Sequence, residues 1–144
     1  MATGDRKDPY HGFRFIVQID GITRGGFREC SGLDSSQDPV EYREGNEPLR
    51  ARKLPGLNKS SNISLKRGMT DDKDLWTWRK KAIDGKVDRK NGSIILMDDA
   101  GEEKIRWNYV DGWPTKWTGP TFNATANEVA IETMDIAHEG VERA

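Results

Sequence analysis

The chain has 144 residues, with 23 basic and 24 acidic side chains and a net charge of −1, which suits one domain and leaves no electropositive footprint for nucleic acid. Hydrophobic residues make up 34% and charged residues 33%, with a mean hydropathy of −0.84, against a usual apolar share of about 45–50% counted with glycine. The single cysteine, Cys30, excludes an internal disulfide framework, and no apolar run approaches the ~18 residues of a membrane-spanning helix.

So lean an apolar inventory leaves two readings: partial disorder, or a small-cored domain completed by its neighbours. Five Trp, four Phe and three Tyr favour the second, because aromatic side chains carry large burial energies. Residues 1–11 are polar and read as an arm without the apolar core of a signal peptide. With a lone cysteine, this makes cytoplasmic assembly without membrane anchoring the expectation.

In chain order, Phe13, Phe15, Val17 and Ile19 alternate onto one strand face, and Asp20-Gly21 marks a turn. Residues 22–31 form a second extended segment, broken at Gly25-Gly26. A third strand is expected over residues 39–43, with Val40 and Tyr42 on one side and Glu41 and Arg43 on the other. Residues 44–60 hold Pro48, Pro55, Gly45 and Gly56 and no sustained period, so they read as a long extended loop. Such a stretch inside a compact domain is functional or disordered. Leu49, Leu54 and Leu57 would anchor it on a partner; a loose surface loop is the plainer alternative.

Residues 62–67 alternate again, with Ile63 and Leu65 inward. The single helix pattern spans residues 71–84. Thr70 is placed to cap it, with Asp71, Asp72 and Asp74 at the positive end of the dipole. Leu75, Trp76, Trp78, Ala82 and Ile83 form its stripe, Lys80 and Lys81 sit late, and Gly85 stops it. Arg79 falls within the stripe and is expected to snorkel to water or a carboxylate. Ile94 to Met97 suits a strand buried on both sides, followed by a turn at residues 98–101 and a hairpin partner bearing Ile105, Trp107 and Tyr109. Residues 111–120 read as a turn-rich connection carrying Trp113 and Trp117, and residues 128–138 as a last strand, apolar on both faces over 129–136. The fold class is therefore mainly β: one domain over residues 1–144, an antiparallel sandwich or barrel with one flanking helix and a long extended loop.

No catalytic constellation is present. His11 and His138 are far apart without metal-ligand spacing, and each reads as solvated or packed. Cys30 falls in a strand, where a buried inert thiol is expected. There is no phosphate-cradling glycine loop, and the pairs Asp71-Asp72, Asp98-Asp99 and Glu102-Glu103 read as turn or dipole charges. Base stacking on the tryptophans would need an electropositive groove. Trp76, Trp78 and Trp107 are expected in the core instead, with Trp113 and Trp117 closing a barrel end or an interface. Catalytic residues, cofactors and metals are all expected to be absent.

Six short pieces stand in order along the chain: Ser31-Gly32-Leu33, Glu41-Tyr42-Arg43-Glu44-Gly45, Lys53-Leu54-Pro55-Gly56, Leu65-Lys66-Arg67-Gly68, Ala130-Ile131-Glu132 and Ala137-His138-Glu139-Gly140. Together they resemble the tail-tube protein family of contractile phages and extracellular contractile injection systems, related in fold to the type VI secretion tube protein. The resemblance implies homohexameric rings stacked into a hollow tube within a sheath. Baseplate, spike and terminator proteins would lie at its ends, and a toxin cargo or DNA in its lumen. It places such proteins in the bacterial cytoplasm during assembly and then in a phage tail or released particle, without enzymatic activity. It also implies that residues 44–59 are the stacking arm, with Glu44, Glu47, Leu49, Arg50, Arg52, Lys53, Leu54 and Leu57 as inter-ring contacts. Lys73, Thr77, Lys80 and Lys81 on the helix would face the sheath. A type VI secretion tube protein and a monomeric β-barrel module for a ligand or single-stranded nucleic acid are the alternatives.

Overall fold

The computed structural model describes residues 14–42, 45, 52–125 and 129–144. The expected arm over residues 1–11, His11, Phe13 and Arg43 lie outside them. Among the described residues the chain forms ten strands and one helix.

Two antiparallel sheets share one long strand. The first sheet holds β1 (Phe15–Ile19), β2 (Thr23–Gly25), β7 (Lys90–Met97), the front half of β8 (Glu103–Thr118) and β10 (Val141–Arg143). The second holds β3 (Glu29–Ser31), β6 (Ile63–Gly68), β9 (Ile131–Ala137) and the rear half of β8. The path runs β2-β1-β7-β8-β9-β6-β3, with β10 beside β8, and no pairing joins its two ends among the described residues. The open path has the character of a sandwich, with β8 as the strand that changes sheets.

That continuity corrects the turn-rich connection expected over residues 111–120. Asp111 takes φ 52° and the register slips between Pro114 and Lys116, so β8 bends without ending. A proline is tolerated in a strand at such a bulge, which removes the need for its missing N–H. The last strand is also shorter than the expected residues 128–138, at Ile131–Ala137. It alternates strictly, with Glu132, Met134 and Ile136 inward, so it is not apolar on both faces.

Alternation on both sheets fills one core. Val17 and Ile19 from β1, Ile94 from β7 and Tyr109 from β8 meet Ile63 and Leu65 from β6 and Met134 and Ile136 from β9. The helix α1 (Asp74–Ile83) adds Leu75 and Trp78 to that cluster, and the Trp78 indole N–H donates to Asp88 O at 2.7 Å. The helix starts three residues later than expected, and Thr70 is not its cap. Thr70 Oγ1 accepts from Asp72 N, and Asp72 Oδ1 accepts from Asp74 N, which spends these side chains on the turn before the helix. At the other end Gly85 N donates to Ala82 O and Lys86 N to Lys81 O, the paired bonds of a Schellman stop. Only part of the stripe faces inward: Trp76 and Ile83 stay exposed. Arg79 sends its guanidinium toward the Pro114 carbonyl at 3.5 Å rather than a carboxylate.

Leu75→Ala should lower the unfolding free energy by about 2–5 kcal/mol, the usual range for emptying a core leucine site. Lys80→Ala breaks only the exposed pair to Asp84 at 2.6 Å and should cost no more than about 0.5 kcal/mol. Urea denaturation checks both.

Candidate assembly surfaces

Of the segment expected as a long extended loop, the described residues 52–59 form a strand, half of a third, separate sheet. Among the described residues, β4 (Ser36–Tyr42) and β5 (Arg52–Lys59) pair only with each other. Sequence periodicity missed β5 because Pro55 and Gly56 interrupt it at a slip in register between Gln37 and Pro39. A Cβ at Gly56 would lie 2.4 Å from Asp38 O, so the close crossing there requires glycine. Gln37 Nε2 donates to Gly56 O at 2.7 Å, and Lys59 pairs with Asp38 at 2.8 Å. Cross-strand pairing sets Val40 opposite Leu54 and Tyr42 opposite Arg52, while Glu41 stands opposite Lys53 on the other face. Val40 and Tyr42 therefore share a face as expected, and Leu54 joins them.

Every residue of β4 is exposed, and so is every residue of β5 except Gly56. The hairpin hence contributes nothing to the core. Of the expected inter-ring residues, Arg52, Lys53, Leu54 and Leu57 sit on β5, with Leu57 80% exposed. Glu44, Glu47, Leu49 and Arg50 lie outside the described residues.

The root of the hairpin is fastened. The Ser61 N–H and hydroxyl both donate to Asp34, at 2.8 and 2.6 Å, which closes the chain before β4 onto the chain after β5. The ring of His138 reaches the same turn: Nδ1 accepts from Gly140 N, and Nε2 donates to Ser61 O at 2.9 Å. Gly32, at φ +94°, passes so close to Asn62 that a Cβ would fall 2.1 Å from its carbonyl oxygen. Two of the ordered pieces, around Gly32 and His138, thus meet at this root. The hydroxyl and amide of Ser61 hold the Asp34 carboxyl below its ordinary value.

A buried charge cluster joins the helix to the second sheet. Arg67 on β6 donates through Nε to Glu132 Oε1 on β9, and through its terminal nitrogens to Asp74 at the start of α1. Its own side chain is 12% exposed, Asp74's 13% and Glu132's 5%. The guanidinium carbon also lies 5.6 Å from the centroid of the Phe27 ring. Burial alone would lower the guanidinium pKa; its hydrogen bonds to Asp74 and Glu132 outweigh it and raise it above its ordinary value. The Trp117 indole N–H donates to the other Glu132 oxygen at 3.1 Å. Asp74 is therefore a part-buried ion-pair partner as well as a charge at the helix start, a distinction that spacing alone does not carry.

Trp76 is not in the core; it stands edge-on to Trp117, with centroids 5.1 Å apart. The outer side of the helix presents Lys73, Thr77, Lys80 and Lys81, all exposed. Burial pushes the Cys30 thiol up to about 11, which leaves it protonated at neutral pH, in keeping with the inert thiol expected. Among the described residues no group of three or more His, Cys, Asp or Glu side chains is arranged to hold a metal ion, and no helix is long and apolar enough to cross a membrane.

The family model described as T4-like virus tail tube protein gp19 matches residues 11–142. The chain belongs to that family. It is similar to a chain of the PVC sheath-tube complex of an extracellular contractile injection system in its extended state, at 33% identity and TM-score 0.86, covering 94% of this chain and 91% of that one. It is similar too to a chain of the tube-terminating cap of the anti-feeding prophage, at 30% identity and TM-score 0.85, covering 100% and 99%. A type six secretion system protein shares the fold at 10% identity and TM-score 0.59, covering 92% and 83%. A search of curated proteins finds no match.

Two outcomes check the site. Arg67→Ala leaves Glu132 buried and Asp74 part-buried without their cation and should cost up to about 3 kcal/mol in denaturant unfolding, the low end of the range for breaking a buried pair. For Asp34 the lowered value means that the clamp acts fully above the ordinary 3.8 and is lost as pH falls through the lowered one. NMR titration should place Asp34 below the ordinary carboxylate value, and Ser61→Ala should move it back up.

Proposed function

We propose that this chain is a non-enzymatic subunit of the inner tube of a contractile injection particle. Six copies close a ring, and rings stack through the β4–β5 hairpin into a hollow tube. A sheath surrounds it, facing Lys73, Thr77, Lys80 and Lys81. Baseplate, spike and terminator proteins finish the ends, and a toxin cargo or DNA passes through the lumen. Assembly takes place in the bacterial cytoplasm, with no cofactor.

The observation that carries this reading is a hairpin exposed on both faces and yet clamped at its root. A floppy loop needs no clamp, and a core hairpin would not leave Val40, Tyr42, Leu54 and Leu57 in solvent. The family match gives that projection a purpose, and the lean composition fits a domain that buries more surface on assembly. Strand edges left open among the described residues at β2 and β3 suit pairing between neighbours in a ring, which also removes them as sites of uncontrolled aggregation.

The test replaces residues 50–57 by a short Gly/Ser linker. Near-normal circular dichroism with rings but no tubes in negative-stain micrographs is expected. Full-length tubes would move stacking elsewhere, and an unfolded product would make the hairpin part of the core. Native mass spectrometry of the linker variant at high concentration should show the hexamer.

A further inference from the structure

Beside the N-terminal turn of α1, two tryptophans form a corner. Trp76 on α1 stands edge-on to Trp117 on β8, with centroids 5.1 Å apart and ring planes at 60°. The corner opens into a groove of ≈ 630 Å3 whose rim carries Met69, Asp71, Asp72 and Lys73, with Glu132 on its buried side. Both rings line this groove, so aromatic surface bounds it on two sides. Met69 is 40% and Trp76 41% exposed, so neither is there to fill the core.

The face of an aromatic ring carries the negative lobe of its quadrupole and attracts a cation placed over it, most strongly for tryptophan. Trp117 is fixed for that use. Its indole N–H donates to Glu132 Oε2 at 3.1 Å, and donation to a carboxylate polarises the indole toward a more negative face.

The surrounding charge has the matching sign. Asp71, Asp72 and Glu132 line the groove against Lys73, and the Arg67–Asp74 pair lies beneath it. Carboxylates thus outnumber cations around the corner. Asp71 makes no ion pair among the described residues.

The kind of cation follows from the hydrogen bonds. Both Glu132 oxygens are engaged, one by Arg67 and one by Trp117, and Asp72 Oδ1 accepts from Asp74 N. A primary ammonium is strongly hydrated and enters a pocket only by exchanging water for other acceptors; the ring faces offer none. A quaternary ammonium has no N–H to satisfy. Its methyl groups pack on ring carbon while its charge lies over the ring faces.

We propose that the Trp76–Trp117 corner is a binding site for a quaternary ammonium group, the trimethylammonium head of choline or of a choline lipid, with Asp71 and Asp72 supplying the field at its rim. The site stands apart from the tube reading, and its failure would leave that reading untouched.

The experiment titrates the full-length chain by isothermal titration calorimetry with choline and, separately, with 3,3-dimethyl-1-butanol, the uncharged analogue in which carbon replaces the nitrogen. Choline should bind saturably and about tenfold more tightly than the alcohol, the worth of two half-exposed cation–π contacts. Equal affinities would reduce the groove to a plain apolar recess, and no saturable binding of choline would remove the site; either result overturns the proposal. Trp76→Leu, a change outside the core, should keep native circular dichroism and lose the preference for choline; a retained preference also overturns it. Asp71→Asn with Asp72→Asn, which keeps the acceptors of the turn, should weaken choline severalfold and leave the alcohol unchanged; unchanged choline affinity would refute the part given to the rim. Vesicles separate the two sources. Co-sedimentation with phosphatidylcholine vesicles but not with phosphatidylglycerol vesicles, lost in Trp76→Leu, supports the site with a lipid headgroup as its ligand. Choline binding without co-sedimentation supports it with a free solute.

Discussion

A guanidinium buried between two carboxylates governs the second sheet. Arg67 bridges β6, β9 and the first turn of α1 through Glu132 and Asp74. Taking three charges out of water is expensive, and the arrangement is tolerable only when every partner is in place. That condition ties β6 and the helix that follows it to β9, 65 residues further along the chain from Arg67. It aligns β6 with β9 and seats the start of the helix against the sheet, so that Leu75 and Trp78 enter the core. Through the second oxygen of Glu132 it also orients Trp117, and Trp117 in turn sets the stance of Trp76. The groove beside the helix is thus shaped by a charge cluster beneath it.

The opposite end of the same strand pair is held differently. There the Asp34 carboxylate, the Ser61 turn and the His138 ring make a small hydrogen-bonded lock at the root of the hairpin. The lock lies in solvent, so its contribution to stability is modest. Its effect is directional, since a two-stranded ribbon is marginal by itself and would otherwise have no fixed stance. A pre-set stance lowers the ordering cost of docking. The β6–β9 pair thus has charge-paired strength at one end and a fixed direction at the other.

The low apolar fraction follows from this division of labour. One cluster drawn from β1, β6, β7, β8, β9 and α1 supplies the core. The hairpin and the outer side of the helix add none of it. A chain with two strands and a helix face left in solvent has a composition poorer in apolar residues than that of a solitary globule.

The sequence by itself determined the elements whose signal is local. Alternation placed β1, β6 and the front of β8; a run of four apolar residues placed β7; and one amphipathic stripe placed the helix to within three residues. The ordered pieces around Gly32, Lys53, Arg67, Glu132 and His138 carried the family. What only the tertiary structure decided was why those pieces are spaced as they are. Arg67 and Glu132 are 65 residues apart and meet because β6 pairs with β9. Asp34 and Ser61 close the hairpin root from either side of it. The pairing of β5 was hidden because Pro55 and Gly56 break its period, and a strand with both faces in solvent has no apolar alternation to display. The rear half of β8 was hidden in the same way by Asp111 and Pro114, whose bend is affordable only where two sheets need a shared corner. Periodicity reports which side of an element meets the core; where an element meets solvent on both sides, or changes sheets, that report is silent, and only contacts across the fold supply it.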